Sequence, residues 1–111
     1  MFVLAEERVV EWPVKVHVVK DGRSVQQAFT ATWRIPDIDV VEEGIGDGRD
    51  PRRLRDFLSE HLVGWSGIED AAGKAVAYGD DAKAALLRWS DAVEALAISF
   101  SEAVRGGRRK N

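Results

Sequence analysis

The chain has 111 residues, of which 45% are hydrophobic and 32% charged, and it contains no cysteine. This length predicts one domain with one core over residues 1–104, and the missing thiols exclude disulfides, thiolate metal sites and cysteine nucleophiles. Residues 1–104 hold 12 basic and 19 acidic side chains, and so acidic a body argues against nucleic acid as the main ligand, because phosphate contacts need clustered Lys or Arg.

The first predicted element is a β-hairpin. Asp21-Gly22 favours it, because a type I′ turn needs positive φ at both central positions and this pair tolerates such values. If Lys20 pairs with Arg23, the two strands share one apolar face and one mostly polar face. Pro13 has no backbone donor, which places the first strand at a sheet edge or at a bulge. The cross-strand pairs on the apolar face would be Val18–Val25, Val16–Gln27, Val14–Phe29, Trp12–Ala31 and Val10–Trp33.

The second segment, residues 36–50, is acidic and glycine-rich without a sustained period, which predicts a loop. An alternative is a short helical turn, since acidic groups suit the N-terminal end of the helix dipole. The spacing of a calcium loop is absent, and so is the Lys-Ser/Thr pair of a phosphate loop, so no metal is expected here. The acidic residues that would begin the helical turn are Asp37, Asp39, Glu42 and Glu43.

The third element is a helix that starts at Asp50-Pro51, an N-cap followed by proline at the first helical position. Gly64 is its predicted end, because glycine readily adopts the left-handed conformation that closes many helices. His61 lies within the apolar stripe without a second ligand at i±4, so we expect it at the margin of the core. The apolar stripe consists of Leu54, Phe57, Leu58, His61, Leu62 and Trp65.

The remaining elements are a short second hairpin and two helices. Residues 66–78 predict two short strands around the turn Asp70–Gly73. Gly79-Asp80-Asp81 predicts the start of a helix, and Ser90-Asp91 predicts a break before the last one, which Asp91 and Glu94 would open as a capping box. The two apolar stripes contain Ala82, Ala85, Leu86 and Trp89, and then Trp89, Val93, Leu96, Ala97, Phe100 and Val104.

The predicted architecture is therefore an α+β fold. Its N-terminal antiparallel hairpin, with the second hairpin as a candidate extension, packs against about three C-terminal helices. Residues 105–111 follow as a flexible basic tail, favoured by Gly106-Gly107. No apolar run reaches the roughly 18 residues of a membrane-spanning helix, and the N-terminus lacks an export signal, so we expect a cytoplasmic protein without membrane contact.

The search for chemistry finds no catalytic site. No nucleophile–base pair and no phosphate loop has its defining spacing, and Glu69 and Asp70 are expected to be turn residues. We therefore predict no catalytic residue, cofactor or metal. The aromatic residues are expected in the core, but an uncovered part of the last apolar face would bind a partner. The predicted partner-binding residues are Trp89, Val93, Leu96 and Phe100.

The run from Val63 to Asp70, Val-Gly-Trp-Ser-Gly-Ile-Glu-Asp, carries a resemblance to a known family. With the Asp-Gly hairpin before it, and with Gly73, a short strand at 76–78 and the helices of 81–104 after it, the chain resembles the tail assembly chaperones of long-tailed bacteriophages and prophages. The residues that carry this structural motif are Gly64, Trp65, Gly67, Asp70 and Gly73.

This resemblance implies a non-enzymatic protein that binds the tape measure protein and helps to recruit tail tube subunits in the bacterial cytoplasm. Self-association stays open beside these partners. Two other classes are alternatives: a structural tail or head–tail connector protein of the virion, and a small regulatory or nucleic-acid-binding module.

Overall fold

The computed structural model describes residues 2, 4 and 7–106, so Gly107 to Asn111 of the predicted tail lie outside the described residues. The described elements form an α+β fold, as predicted, in which one antiparallel sheet has the strand order β1-β2-β3. Three helices correspond to the predicted ones, and α1 is additional. In chain order the elements are β1 (Arg8–Lys20), β2 (Arg23–Ile35), α1 (Ile38–Ile45), α2 (Pro51–His61), β3 (Leu62–Ser66), α3 (Asp80–Leu86) and α4 (Ser90–Val104).

The hairpin has the predicted register. β1 and β2 pair along their whole length, from Arg8↔Ile35 to Lys20↔Arg23. Asp21 and Gly22 have φ of 54° and 76°, the positive values that a type I′ turn requires. β1 is an edge strand, as Pro13 indicated, and its pairing with β2 is continuous there. The local turn and the strand alternation thus determine how the first 28 residues of the sheet pair with each other.

Helix α4 lies across the apolar face of the hairpin and contacts both strands. Trp33 is fully buried at the centre of this contact, with its ring edge-on to Phe100 at a centroid distance of 5.3 Å. Its Nε1 donates a hydrogen bond to Ser99 Oγ at 3.1 Å, and Trp12 Nε1 donates to Glu102 Oε1 at 3.0 Å. Two indoles therefore hold the strands to one helix. The buried hydrophobic cluster contains Val14, Val16, Ala31, Trp33, Phe57, Leu58, Leu62, Leu87, Ala95, Leu96, Phe100 and Ala103.

The segment predicted as a loop contains helix α1. Asp37 caps this helix, because its Oδ1 accepts a hydrogen bond from the backbone N–H of Val40 at 3.1 Å. The alternative of a helical turn begun by acidic residues is therefore the correct one. Helix α2 starts as predicted, with Asp50 Oδ1 accepting from the N–H of Arg52 at 3.0 Å. α1 and α2 pack against each other beside α4.

The predicted end of α2 at Gly64 is wrong. The helix ends at His61, and the next five residues form β3, with Gly64 opposite Thr32 and Trp65 opposite Ala31. The strand forms because the second edge of β2 offers unpaired backbone groups, and a buried backbone must find such partners. Gly64 is thus not a helix end. It lies against Thr32, whose side chain would be 3.4 Å from an added Cβ.

Three further predictions need correction in the C-terminal half. The second hairpin is reduced to a single bridge, Glu69↔Ala75, outside the named strands. The break before α4 occurs as predicted, but Trp89 leaves the apolar stripe and is 68% exposed, while Leu87 is buried instead. Asp91 does not open a capping box, because α4 begins at Ser90 and no side chain caps it.

Candidate interaction surface

The five residues of the resemblance motif lie in one continuous segment that leads out of β3. Asp70 organises its turn: Oδ1 accepts hydrogen bonds from the N–H groups of Ala72 at 2.9 Å and Lys74 at 3.0 Å. Gly73 has φ of 81° and donates its N–H to the Asp70 carbonyl at 2.9 Å. The carboxylate of Asp70 therefore holds a turn, as predicted.

A small polar network fastens this segment to the body. Trp65 Nε1 donates to the Val76 carbonyl at 2.9 Å, and its ring meets Tyr78 edge-on at 5.1 Å. Tyr78 Oη donates to the Leu62 carbonyl at 2.8 Å. Lys83 Nζ donates to the Ser59 carbonyl at 2.6 Å and to Tyr78 Oη at 3.1 Å. Sequence reasoning missed Lys83, because its acceptors come from a different helix and from an aromatic hydroxyl.

His61 is buried in the core rather than placed in a site. Its Nδ1 lies 2.9 Å from the Phe57 carbonyl, and its ring packs on the Phe57 ring at 4.3 Å. Among residues 2, 4 and 7–106, no group of three or more His, Asp or Glu could hold a metal ion.

The structure does not bring the four predicted partner-binding residues together. Leu96 and Phe100 are buried in the core, and Phe100 also lines a hollow beside α4 that is described below. Val93 is half-buried and lines a groove between α2 and α4. Trp89 is exposed and lines a different groove beside the hairpin tip. A partner-binding role stays a prediction for Trp89 and Val93.

The groove that contains Val93 belongs to a longer depression, here named the α4 trough. One hollow of about 670 Å³ lies between α2 and the first half of α4, and a second of about 240 Å³ follows along α4 toward α1. Leu54 and Ala97 line both hollows, so the two are adjacent. Sequence reasoning missed the trough because it depends on how α1 and α2 diverge from α4. Its apolar lining contains Val41, Ile45, Leu54, Leu58, Leu87, Val93, Ala97, Ile98 and Val104.

Charged residues stand at the rims of the α4 trough. Arg55 belongs to α2, Arg88 lies in the connection just before α4, and Asp91 and Glu94 belong to α4. Ile98 is 55% exposed on the same helix. Because α4 has 15 residues, the trough follows a helix of about 22 Å at 1.5 Å per residue. This arrangement suits a guest about as long as α4 with an apolar stripe and charged flanks.

Comparisons with known proteins add no relative: no protein-family model, curated protein or solved structure matches the chain. In the described part of the chain, no helix combines the length and the apolar character needed to cross a bilayer.

Proposed function

We propose that the chain is a non-enzymatic tail assembly chaperone of a long-tailed phage or prophage. It binds the tape measure protein in the bacterial cytoplasm and helps to recruit tail tube subunits around it. The observation that carries this proposal is the α4 trough, an open apolar depression with charged rims on an acidic body. The resemblance of the segment around Trp65 to the chaperone family supports the choice of partner.

The guest of the trough is an amphipathic helix of the tape measure protein. A helix lays an apolar stripe of i, i+3, i+4 and i+7 positions into a groove of this kind. The floor offers branched side chains separated by the small Ala97, which lets a guest helix approach α4 closely. Ile98 and Val104 remain about half exposed without the guest and would be covered by it.

The charged residues at the rims of the α4 trough orient the guest helix and help to make its binding reversible. Arg55 on α2 attracts acidic residues on one flank of the guest, and Asp91 and Glu94 on α4 attract basic residues on the other. Opposite rims of opposite sign favour one orientation of the bound helix. Since rim charges act mainly on association rates, and since the trough is shallow, tube subunits can later displace the chaperone.

The experiment is coexpression with the long helical tape measure protein that the proposal implies, followed by pull-down. We expect the complex to keep the long protein in solution. Ile98→Asp places a charge in the trough and should reduce the recovered complex at least about tenfold, a loss of about 1.4 kcal/mol. Val19→Asp is the matched control, because Val19 is a β-branched residue, 82% exposed, on the remote hairpin. It should leave recovery unchanged.

Two results would contradict the proposal. One is the absence of any complex with the unmodified chain. The other is equal recovery with Ile98→Asp and Val19→Asp when circular dichroism shows both variants folded. Abundance of the chain in purified virions would instead favour the structural tail or connector protein, since a chaperone leaves the finished particle.

A further inference from the structure

Along the tip half of β2, no strand of the described residues pairs with the edge that faces away from β1. β3 pairs with β2 only from Thr30↔Ser66 to Trp33↔Leu62, whereas β2 continues toward the tip to Arg23. In a hairpin closed by a two-residue turn the flanking pair, here Lys20 and Arg23, is hydrogen-bonded, and bonding alternates from there. The backbone groups of every second residue therefore point away from β1. On the unpaired stretch these residues are Ser24, Gln26 and Ala28.

Gly67 leaves this edge uncovered. It follows β3 directly, has φ of 90°, and lies so close to β2 that an added Cβ would be 3.5 Å from Phe29 Cα. At this conformation the chain leaves the strand direction, and Glu69 then pairs with Ala75 instead of continuing along β2. Ser24, Gln26 and Ala28 are all exposed.

An apolar groove adjoins the free edge and is here named the tip groove. It encloses about 370 Å³ on the side of the sheet that faces the helices, and Trp89 is the most exposed of its large lining residues. Its lining contains two carboxylates, Glu69 and Asp91, and no Lys or Arg. The groove thus combines apolar contact area with negative charge. Its other walls include Val18, Phe29, Ile68, Leu86 and Ala92.

We propose that this edge and groove form a second docking site, which binds an extended segment of a partner protein by β-strand addition. The segment pairs its backbone with Ser24, Gln26 and Ala28. Its alternate side chains point into the tip groove, because successive residues of a strand face opposite sides of the sheet. Those inward side chains are apolar, with one Lys or Arg that meets Glu69 and Asp91. Asp91 lines both the tip groove and the α4 trough, but the pairing residues Ser24, Gln26 and Ala28 lie outside the trough. The proposal does not depend on the proposed chaperone function.

The test uses a capped synthetic heptapeptide, Thr-Val-Thr-Val-Thr-Lys-Thr, titrated into the full-length ¹⁵N-labelled chain. We expect saturable amide shifts at Ser24, Gln26 and Ala28 and at the Trp89 indole, with Kd of about 1 mM or tighter. Replacing the peptide's Lys by Glu should weaken binding about tenfold, since it reverses the charge that faces the carboxylates.

Matched proline variants separate edge pairing from general binding. Gln26→Pro removes an outward N–H of β2 and should abolish the shifts. His17→Pro makes the same change in the residue directly opposite, whose backbone faces the other edge of the sheet, and should leave binding intact. Trp89→Ala changes only a residue that lines the groove and should weaken binding about fivefold. This variant replaces Gln26→Pro in the test if Gln26→Pro does not fold.

Three outcomes would overturn the proposal. They are no saturable shift with the unmodified chain, equal binding by Gln26→Pro and His17→Pro, and shifts centred on Ile98 rather than on β2. Ile98→Asp should not change peptide binding, so failure in the α4 trough and failure at the β2 edge can be told apart.

Discussion

The two ends of the sheet are built from the same hairpin but differ in what covers them. At the end near Trp33, β2 lies between β1 and β3, and α4 buries its apolar face. At the tip no third strand is present among the described residues, Val18 and Val25 are half-buried, and Val19 is 82% exposed. The same alternation of apolar residues therefore makes a core at one end and an open surface at the other. Stability should be concentrated at the first end, and binding by strand addition at the second.

The largest expected loss of stability is that of Trp33→Ala, and Trp89→Ala is its comparison. Trp33→Ala removes a fully buried ring with its hydrogen bond to Ser99 and should lower the free energy of unfolding by about 3–5 kcal/mol. Trp89→Ala removes a ring that is 68% exposed and should change it by less than about 0.5 kcal/mol. Urea unfolding followed by circular dichroism gives both values. Similar losses would remove the proposed distinction between the two ends.

An intermediate loss of stability is expected at the boundary between the two ends of the sheet. Phe29→Asp puts a charge on the half-buried apolar face opposite Val14 and should cost about 2–3 kcal/mol. Ala28→Asp, one residue away on the opposite, exposed face, should be neutral within about 0.5 kcal/mol. The midpoint of thermal unfolding distinguishes them, and equal shifts would refute the assigned faces.

The smallest effect concerns the turn beside the free edge. Asp70→Ala removes the acceptor of the Ala72 and Lys74 N–H groups and should cost about 1 kcal/mol. The loss should be local, so amide exchange at Lys74 should accelerate while that of Trp33 keeps its rate. Asp70→Asn, which retains a side-chain oxygen, is the control. Faster exchange at both amides would show that the turn and the core are one cooperative unit.

The sequence was sufficient for the hairpin because its determinants are local. A two-residue turn and strict alternation fix the register of β1 and β2, and Asp50-Pro51 likewise specifies the start of α2. The prediction from helical spacing failed at β3. Leu62 and Trp65 satisfy the helical period, but pairing with the edge of β2, which is distant in sequence, decides their conformation. The spacing of Trp89 predicted that it belongs to the apolar stripe. It is exposed instead, because it lies in the break between α3 and α4.

The site was less predictable than the fold. The motif around Trp65 and Asp70 was identified from its residues, and the structure shows how it closes a turn and anchors a loop. The α4 trough and the tip groove depend on helix divergence and on the length mismatch between β2 and β3. Neither has a signature within one segment. The chaperone function and its partners stay predictions for the experiments above.

Pro13 has a consequence for how the chain behaves at high concentration. It stands on β1, where alternation directs its backbone to the outer edge, and proline offers no N–H there. Glu11 and Lys15 flank it with exposed charges, and proline and charge are the features by which natural edge strands resist fibril growth. Proline and charge therefore disfavour pairing at the outer edge of β1, and a further strand is expected to pair with the tip half of β2 instead.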